Sequence, residues 1–287
     1  MATDINRTTS IALPGEVSSE ILQKTQESSA VMSLAQQIKL PGLGVTIPVI
    51  TGDPEAAWVA ETEKKPVKRG TLDTKIMQPY TLAVIVPFSN QFRRDVPALY
   101  KQLVSRLPLA LAQKFDATVF GGVTAPGDNF DTLKTCTAQE IGTDAYAGLV
   151  AADADIADHN GILNGWVLSP KGKALLLNAV DANKRPLFIN NVAEGAVPMI
   201  LGSKTLQSKG AYVSGTPNVV GFAGDWTQAM YGTVEGVQIA IADQATLQDG
   251  ENTINLFQQN MFAVRAEIEV GFRCDTTVFN KLTKAAG

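Results

Sequence analysis

The chain has 287 residues, of which 45% are hydrophobic and 18% charged, so it can bury one large core or two modest ones and is not disordered. A net charge of −4 argues against sequence-independent wrapping of nucleic acid, which takes many Lys and Arg to replace counterions. Two cysteines, Cys136 and Cys274, are too few for a disulfide framework and read as buried or half-buried thiols in a reducing cytosol. The N-terminal stretch MATDINRTTSIALPGE lacks the charged-then-apolar pattern of a secretion signal. Runs such as LAVIV and LPLALA are far shorter than a membrane span, so the sequence predicts a protein kept soluble in a cytoplasm.

Residues 1–13 are polar, show little periodicity and read as an extended arm closed by Leu13-Pro14-Gly15. A helix is predicted from about Glu16 to Gln37, marked by Val17, Ile21, Leu22, Val31, Leu34 and Ile38, with Pro41-Gly42 breaking the chain after it. Gly44 to Ile50 reads as a strand, and Leu72 to Val86 alternates as a second one. Between them lies a polar stretch with one large apolar residue, Trp58, and a mixed charge cluster, Glu61 to Arg69. Two strands joined by so long a loop make a projecting hairpin, which is hard to stabilise by its own contacts and calls for something to lie on, such as a neighbouring subunit.

From Val96 to Phe120 apolar residues recur every three or four positions, which predicts a helix about 37 Å long at 1.5 Å per residue. Asp95 is a good N-cap, Pro97 is tolerated at the start, and Gly121-Gly122 ends the helix. Pro108 lies in the middle and should bend it, because it removes one hydrogen bond. After a loop over Val123–Phe130, a helix is predicted from Thr143 to His159 with Tyr146, Leu149, Val150 and Ile156 inward. Trp166-Val167-Leu168 reads as a strand buried on both faces, and Ser169-Pro170 starts a helix that stops before Pro186. Helix, strand and helix together predict a compact α/β unit over about 126–221. The rest is strand-like, over Trp226–Ala242, Ile254–Phe257 and Met261–Phe272. In the last, Phe262, Val264, Ala266, Ile268 and Val270 share one face, with Arg265, Glu267 and Glu269 on the other. No fixed-period repeat is present, which excludes solenoids and propellers.

The chemistry-bearing residues do not converge. The one histidine, His159, ends a predicted helix and reads as a cap favoured by the helix dipole rather than as a general base. Asp153, Asp155, Asp158, Asn160 and Gly161 hint at a calcium loop, but position five is Ala157 and position twelve is Asn164, so a solvated helix face is the better reading. Gly195 to Thr205 approaches a phosphate loop, but Ser203 separates Gly202 from Lys204. No catalytic residue, cofactor or metal ligand is assigned. The cluster Glu61, Glu63, Lys64, Lys65, Lys68 and Arg69 reads either as a solvated loop tip or as a contact surface for a charged partner; the Trp at its base favours the second.

Taken in order, these pieces resemble a major capsid protein of tailed bacteriophages, of the Hong Kong 97 fold. The resemblance runs from about Pro14 to Lys284. It rests on Leu13-Pro14-Gly15 ahead of a helix, Ala57-Trp58-Val59-Ala60-Glu61 leading to Lys65-Pro66, and Val84-Ile85-Val86-Pro87-Phe88-Ser89 before the long helix. It continues through Trp166 to Pro170, Asp181 to Leu187, Gly224-Asp225-Trp226 and the stretch Asn260 to Phe279 with Arg265 and Arg273. The resemblance implies an α+β chain with an N-arm (1–13), an N-terminal helix segment (14–43) and an E-loop β-hairpin (44–88). It further implies a P-domain (89–125 and 222–287) with a spine helix and β-sheet, and an A-domain (126–221) whose tips meet at capsomer centres. It implies self-assembly as pentamers and hexamers into an icosahedral shell around phage double-stranded DNA, in a virion assembled in the host cytoplasm. Trp58, Glu61, Lys64, Lys65, Lys68 and Arg69 would then be inter-subunit contacts. Partners implied are other copies, portal and decoration proteins, and packaged DNA bound without sequence specificity; membranes are not among them.

Some relatives carry an N-terminal scaffold segment that is cut off. This chain starts almost at the arm, so a scaffold would be a separate protein or absent. Others join subunits through an isopeptide bond, for which Lys64, Lys65 and Lys68 lie in the right region, with Asn260 or Asn280 as acceptor and Glu267 or Glu269 assisting. A bacterial encapsulin shell is the alternative on the same fold. An α/β enzyme with its site in 126–221, and a shell accessory protein, are the rivals from other classes.

Overall fold

A computed structural model describes residues 15–42, 44–50, 72–91, 96–180, 183–185, 187, 199–250 and 252–284. The helix expected over 16–37 is two helices and a strand: α1 (Gly15–Ser28), α2 (Ala30–Leu34) and β1 (Gln36–Lys39). Ser29 sits between the helices in extended conformation, φ −88° and ψ 124°, and its side chain accepts from the Met32 amide to cap α2.

The two strands β2 (Val45–Ile50) and β3 (Leu72–Met77) pair antiparallel, with Val45 opposite Met77 and Ile50 opposite Leu72. The chain then turns at Gln78-Pro79, where the proline has no N–H to continue a ladder. The next strand, β4 (Tyr80–Ser89), leaves the hairpin and joins the main sheet. One strand was expected over 72–86; there are two, and the hairpin proper starts and ends at 45 and 77.

The long helix α3 (Val96–Val119) has 24 residues, about 36 Å, with Pro108 buried inside it. Its end is a Schellman arrangement: the Gly121 amide donates to Thr118 O at 3.0 Å and that of Gly122 to Ala117 O at 2.9 Å. Gly121 takes φ +77°, and a Cβ there would lie 2.6 Å from Lys134 Cβ, so both conformation and space select glycine. The expected cap Asp95 lies outside the described residues.

Beyond the loop come β5 (Thr137–Glu140), α4 (Ala145–Asp158), β6 (Gly165–Leu168), α5 (Pro170–Leu177), β7 (Met199–Ile200), β8 (Ser203–Gln207) and β9 (Asn218–Gly224). α4 is capped by the Asp144 carboxylate, which accepts from the Ala147 amide. It buries Ala145, Gly148, Leu149, Ala152 and Ile156, while Tyr146 and Val150, expected inward, are 54% and 41% exposed. The reason is Gly148, where a Cβ would lie 2.2 Å from Glu140 O: close approach to β5 sets which face goes down. The remaining strands are β10 (Ala229–Thr233), β11 (Gln238–Ala242), β12 (Thr246–Asp249), β13 (Asn252–Asn255), β14 (Met261–Cys274) and β15 (Phe279–Lys284).

Two larger sheets result, and β14 organises the first. β4 runs antiparallel along one edge of it, while β11 and β10 share the other edge, and β1 adds parallel to β10. The second sheet has the order β5-β15-β9-β6-β8-β7, with α4 against β5, β9 and β15 and α5 against β6 and β9. The last described strand, β15, therefore lies in the α/β sheet. Its parallel pairing with β5 and antiparallel pairing with β9 carry it across.

α3 links the cores. Its Leu107 and Leu111 pack with Ile21 of α1 and with Phe262, Val264, Ala266 and Ile268 of β14. Farther along, Phe115, Val119 and Phe120 enter an aromatic cluster with Phe130, Phe222, Trp226, Phe272 and Phe279. Phe120 stacks on Phe222 at 4.7 Å, and Trp226 meets Phe279 edge-on at 5.1 Å.

Candidate functional site

The hairpin leaves the body at one place, and that place is heavily built. Met77, the last residue of β3, is 0% exposed and packs with Leu40. It fills a hollow between two glycines that face each other in the sheet, Gly232 and Gly271. A Cβ on Gly271 would lie 2.6 Å from Gln78 O and 2.8 Å from Met77 Cγ; one on Gly232 would lie 2.4 Å from Leu40 Cγ. Glycine is required here for close approach of the crossing segment.

Beside the plug is a polar clamp. Arg273 donates from three nitrogens to four acceptors: Nε to Ile76 O at 2.8 Å, Nη1 to Asp131 Oδ1 at 2.8 Å and to Asp128 O at 3.5 Å, and Nη2 to Asn129 Oδ1 at 2.7 Å. Lys75 donates to Cys274 O at 2.8 Å and reaches Asp131 Oδ2 at 3.4 Å, and the Cys274 amide donates to that same oxygen at 3.2 Å. The rigid guanidinium fork thus ties β3 to β14 and to the loop over 128–131. The clamp holds the base of β3 in place on the sheet.

Of the residues singled out from sequence, Trp58, Glu61, Lys64, Lys65, Lys68 and Arg69 lie outside the described residues, as does the arm 1–13. Asn280 is 0% exposed, with its amide donating to Ala152 O at 3.0 Å. Asn260 is exposed in the turn just before β14, and Glu267 is half-buried within β14. His159 ends α4, its Nδ1 2.7 Å from Asp155 O, as a cap and not as a base. Cys136 and Cys274 are free and buried; burial pushes the Cys136 thiol up to about 12 and that of Cys274 well above the usual range. Neither is a poised nucleophile.

The clamp was not foreseen. One signal for it was present: Gly271 interrupts an otherwise alternating strand, which marks close backbone approach. On the open face of the same sheet, Glu235, Glu267 and Glu269 with Thr81, Gly236 and Gln238 line a shallow hollow of about 120 Å³.

Comparison with known proteins agrees with a structural role. Residues 9–275 match the model of the phage capsid family. The chain is 31% identical to the probable major capsid protein of Mycobacterium phage L5, over 94% of this chain and 89% of that one. It is 22% identical to the major capsid protein of Staphylococcus phage 80alpha, over 95% and 85% of the two chains. Among solved structures, one from Microbacterium phage Oxtober96 superposes with a TM-score of 0.71 at 21% identity, covering 89% of this chain and 91% of that one. The capsid of an empty GTA particle gives 0.64 at 15% identity, over 90% of each; at these identities the likeness speaks for the fold alone. The named relatives are structural capsid proteins and not enzymes. Length, order of elements and relatives agree, and the chain belongs to the phage capsid family.

Proposed function

We propose that this chain is the major capsid protein of a tailed phage, with the Hong Kong 97 architecture, and that it assembles as pentamers and hexamers into an icosahedral head around double-stranded DNA. The observation that carries the reading is likeness to phage capsid proteins over nearly the whole chain. The architecture supports it. An axial helix joins a projecting hairpin at one sheet to an α/β unit at the other. In the family's terms these are the spine helix and β-sheet of the P-domain, the E-loop, and the A-domain, with residues 1–13 as the N-arm. Each contact between copies need bury only about 800 Å² per partner, because closure of the shell multiplies weak contacts. A net charge of −4 suits an inner wall along which DNA slides.

The stretch of sequence between β2 and β3 carries Lys64, Lys65, Lys68 and Arg69, and the open sheet face carries Glu235, Glu267 and Glu269. Opposite charges of this kind set register and on-rate between copies. Trp58 and Glu61 complete the proposed contact. The test is electron microscopy of the purified protein, alone and co-expressed with its neighbouring phage genes. Uniform hollow polyhedra are expected; a stable monomer at high concentration under both conditions overturns the reading.

A further inference from the structure

Little in the local sequence breaks the helix between Gly15 and Leu34. The stretch has no proline and no glycine beyond its first residue, and serines such as Ser28 and Ser29 are only mildly unfavourable in a helix. Yet α1 stops at Ser28 and α2 starts at Ala30. In a continuous helix the amides of Ala30, Val31 and Met32 would donate to the carbonyls of Gln26, Glu27 and Ser28. Each has another acceptor instead. Ala30 N donates to Asp116 Oδ2 at 3.1 Å, Val31 N to Asp116 Oδ1 at 3.4 Å and Met32 N to Ser29 Oγ at 3.1 Å. The Ser29 hydroxyl donates to Asp116 Oδ1 at 2.5 Å, and that of Ser208 to Asp116 Oδ2 at 2.7 Å. One freed carbonyl, Gln26 O, accepts from the Ser33 hydroxyl at 3.1 Å.

The break is therefore imposed from a distance. Asp116 stands on α3, 87 residues from Ser29, and is 1% exposed. The amide bonds are exchanged one for one between the broken and continuous forms. What separates the two is the buried carboxylate, which in the continuous form keeps only its Ser208 bond, and the seating of Ile21 of α1 against Leu107 and Leu111 of α3. Local preference and tertiary contact point in opposite directions, which is the condition for a two-state element.

We propose that residues 15–34 are a helix switch, bent at Ser29 while Asp116 holds the freed amides and continuous when that latch opens. In the continuous form 20 residues make one rod of about 30 Å. Since α2 leads directly into β1, which is held in the sheet, straightening swings α1 off α3 and changes the direction from which residues 1–14 enter. The switch stands on the geometry of the single chain. Its use, presenting the N-terminal segment differently to different neighbours, rests on the shell reading.

The test uses the full-length, unassembled chain, so that failure to form shells does not affect it. Spin labels are placed at Glu20→Cys on α1 and Lys114→Cys on α3, both exposed positions. The wild-type background should give one short distance. Asp116→Ala should add a longer population. Ala30→Pro removes the amide that a continuous helix needs and holds the residue before it extended, as Ser29 already is. Asp116→Ala/Ala30→Pro should therefore return to the short distance. An unchanged distance in Asp116→Ala overturns the proposal. So does a longer population that persists with Ala30→Pro, which would mean a loosened helix and not a switch. If Asp116→Ala does not fold, Asp116→Asn is measured in the same way; failure of both to fold also overturns it, since the carboxylate would then be a support of the core and not a latch.

Discussion

Removing the carboxylate of Asp131 should loosen the root of the hairpin by a calculable amount. Its partner Arg273 has a side chain only 11% exposed, and Asp131 itself is 18% exposed, so their 2.8 Å contact is poorly screened by water. A hydrogen bond between charged groups of this kind contributes about 1.5–3 kcal/mol. Losing the acceptor of the Cys274 amide adds about 1 kcal/mol. The Lys75 contact at 3.4 Å is about a third exposed and adds little, less than about 1 kcal/mol. Asp131→Ala should thus cost about 3 kcal/mol in urea unfolding of the unassembled chain. Arg273 keeps Ile76 O and Asn129, so part of the clamp survives. A double-mutant cycle with Arg273→Ala isolates the pair and should give a coupling of about 1.5 kcal/mol or more. Hydrogen exchange should localise the change to amides of 72–77 and 272–274, leaving α4 protected. A coupling below about 0.5 kcal/mol, or loosening spread evenly over the molecule, would refute the idea that this pair fixes the hairpin.

Three further outcomes are expected. Burial holds Asp116 above its ordinary value of 3.8, against the opposing hydrogen bonds from Ser208, Ser29, Ala30 and Val31, while Glu27, Lys114 and Lys209 on the adjoining elements are exposed. The folded chain therefore binds this proton more tightly than the unfolded one, so wild-type stability should fall relative to Asp116→Asn as pH rises from 3.8 through the folded value; urea midpoints across that range that stay parallel would contradict it. Pro108→Ala restores a backbone hydrogen bond in the middle of α3 and should stiffen the helix and alter particle size or yield, whereas particles unchanged in both by electron microscopy would sink the idea that a bend at Pro108 matters for assembly. Both thiols should resist a thiol reagent in the native chain at pH 8 and react after denaturation, because Cys136 and Cys274 are each only 4% exposed; rapid native labelling of either would show that the aromatic core opens.

Much of the architecture is legible in residue order, because it depends on period and punctuation. The alternation from Phe262 to Val270 places each residue of β14 on the correct face, since side chains in a strand alternate whatever lies opposite. The end of α3 follows from Gly121-Gly122, and Trp166-Val167-Leu168 is buried on both faces as its composition predicts. Of the candidate site, only Gly271 left a mark in the sequence. Arg273 reads as one more outward charge on an alternating strand until β3 crosses over it.

The long helix, the hairpin and the α/β unit were thus determined by sequence alone, through spacing and turn residues. Tertiary structure alone decided the rest. It breaks the helix at Ser29, because the carboxylate that accepts the freed amides comes from α3. It turns Tyr146 and Val150 outward, because Gly148 lets β5 approach a different face. It carries β15 into the far sheet, because its ladder partners are β5 and β9. In each case the deciding contact joins segments remote in the chain, where local preference has no information.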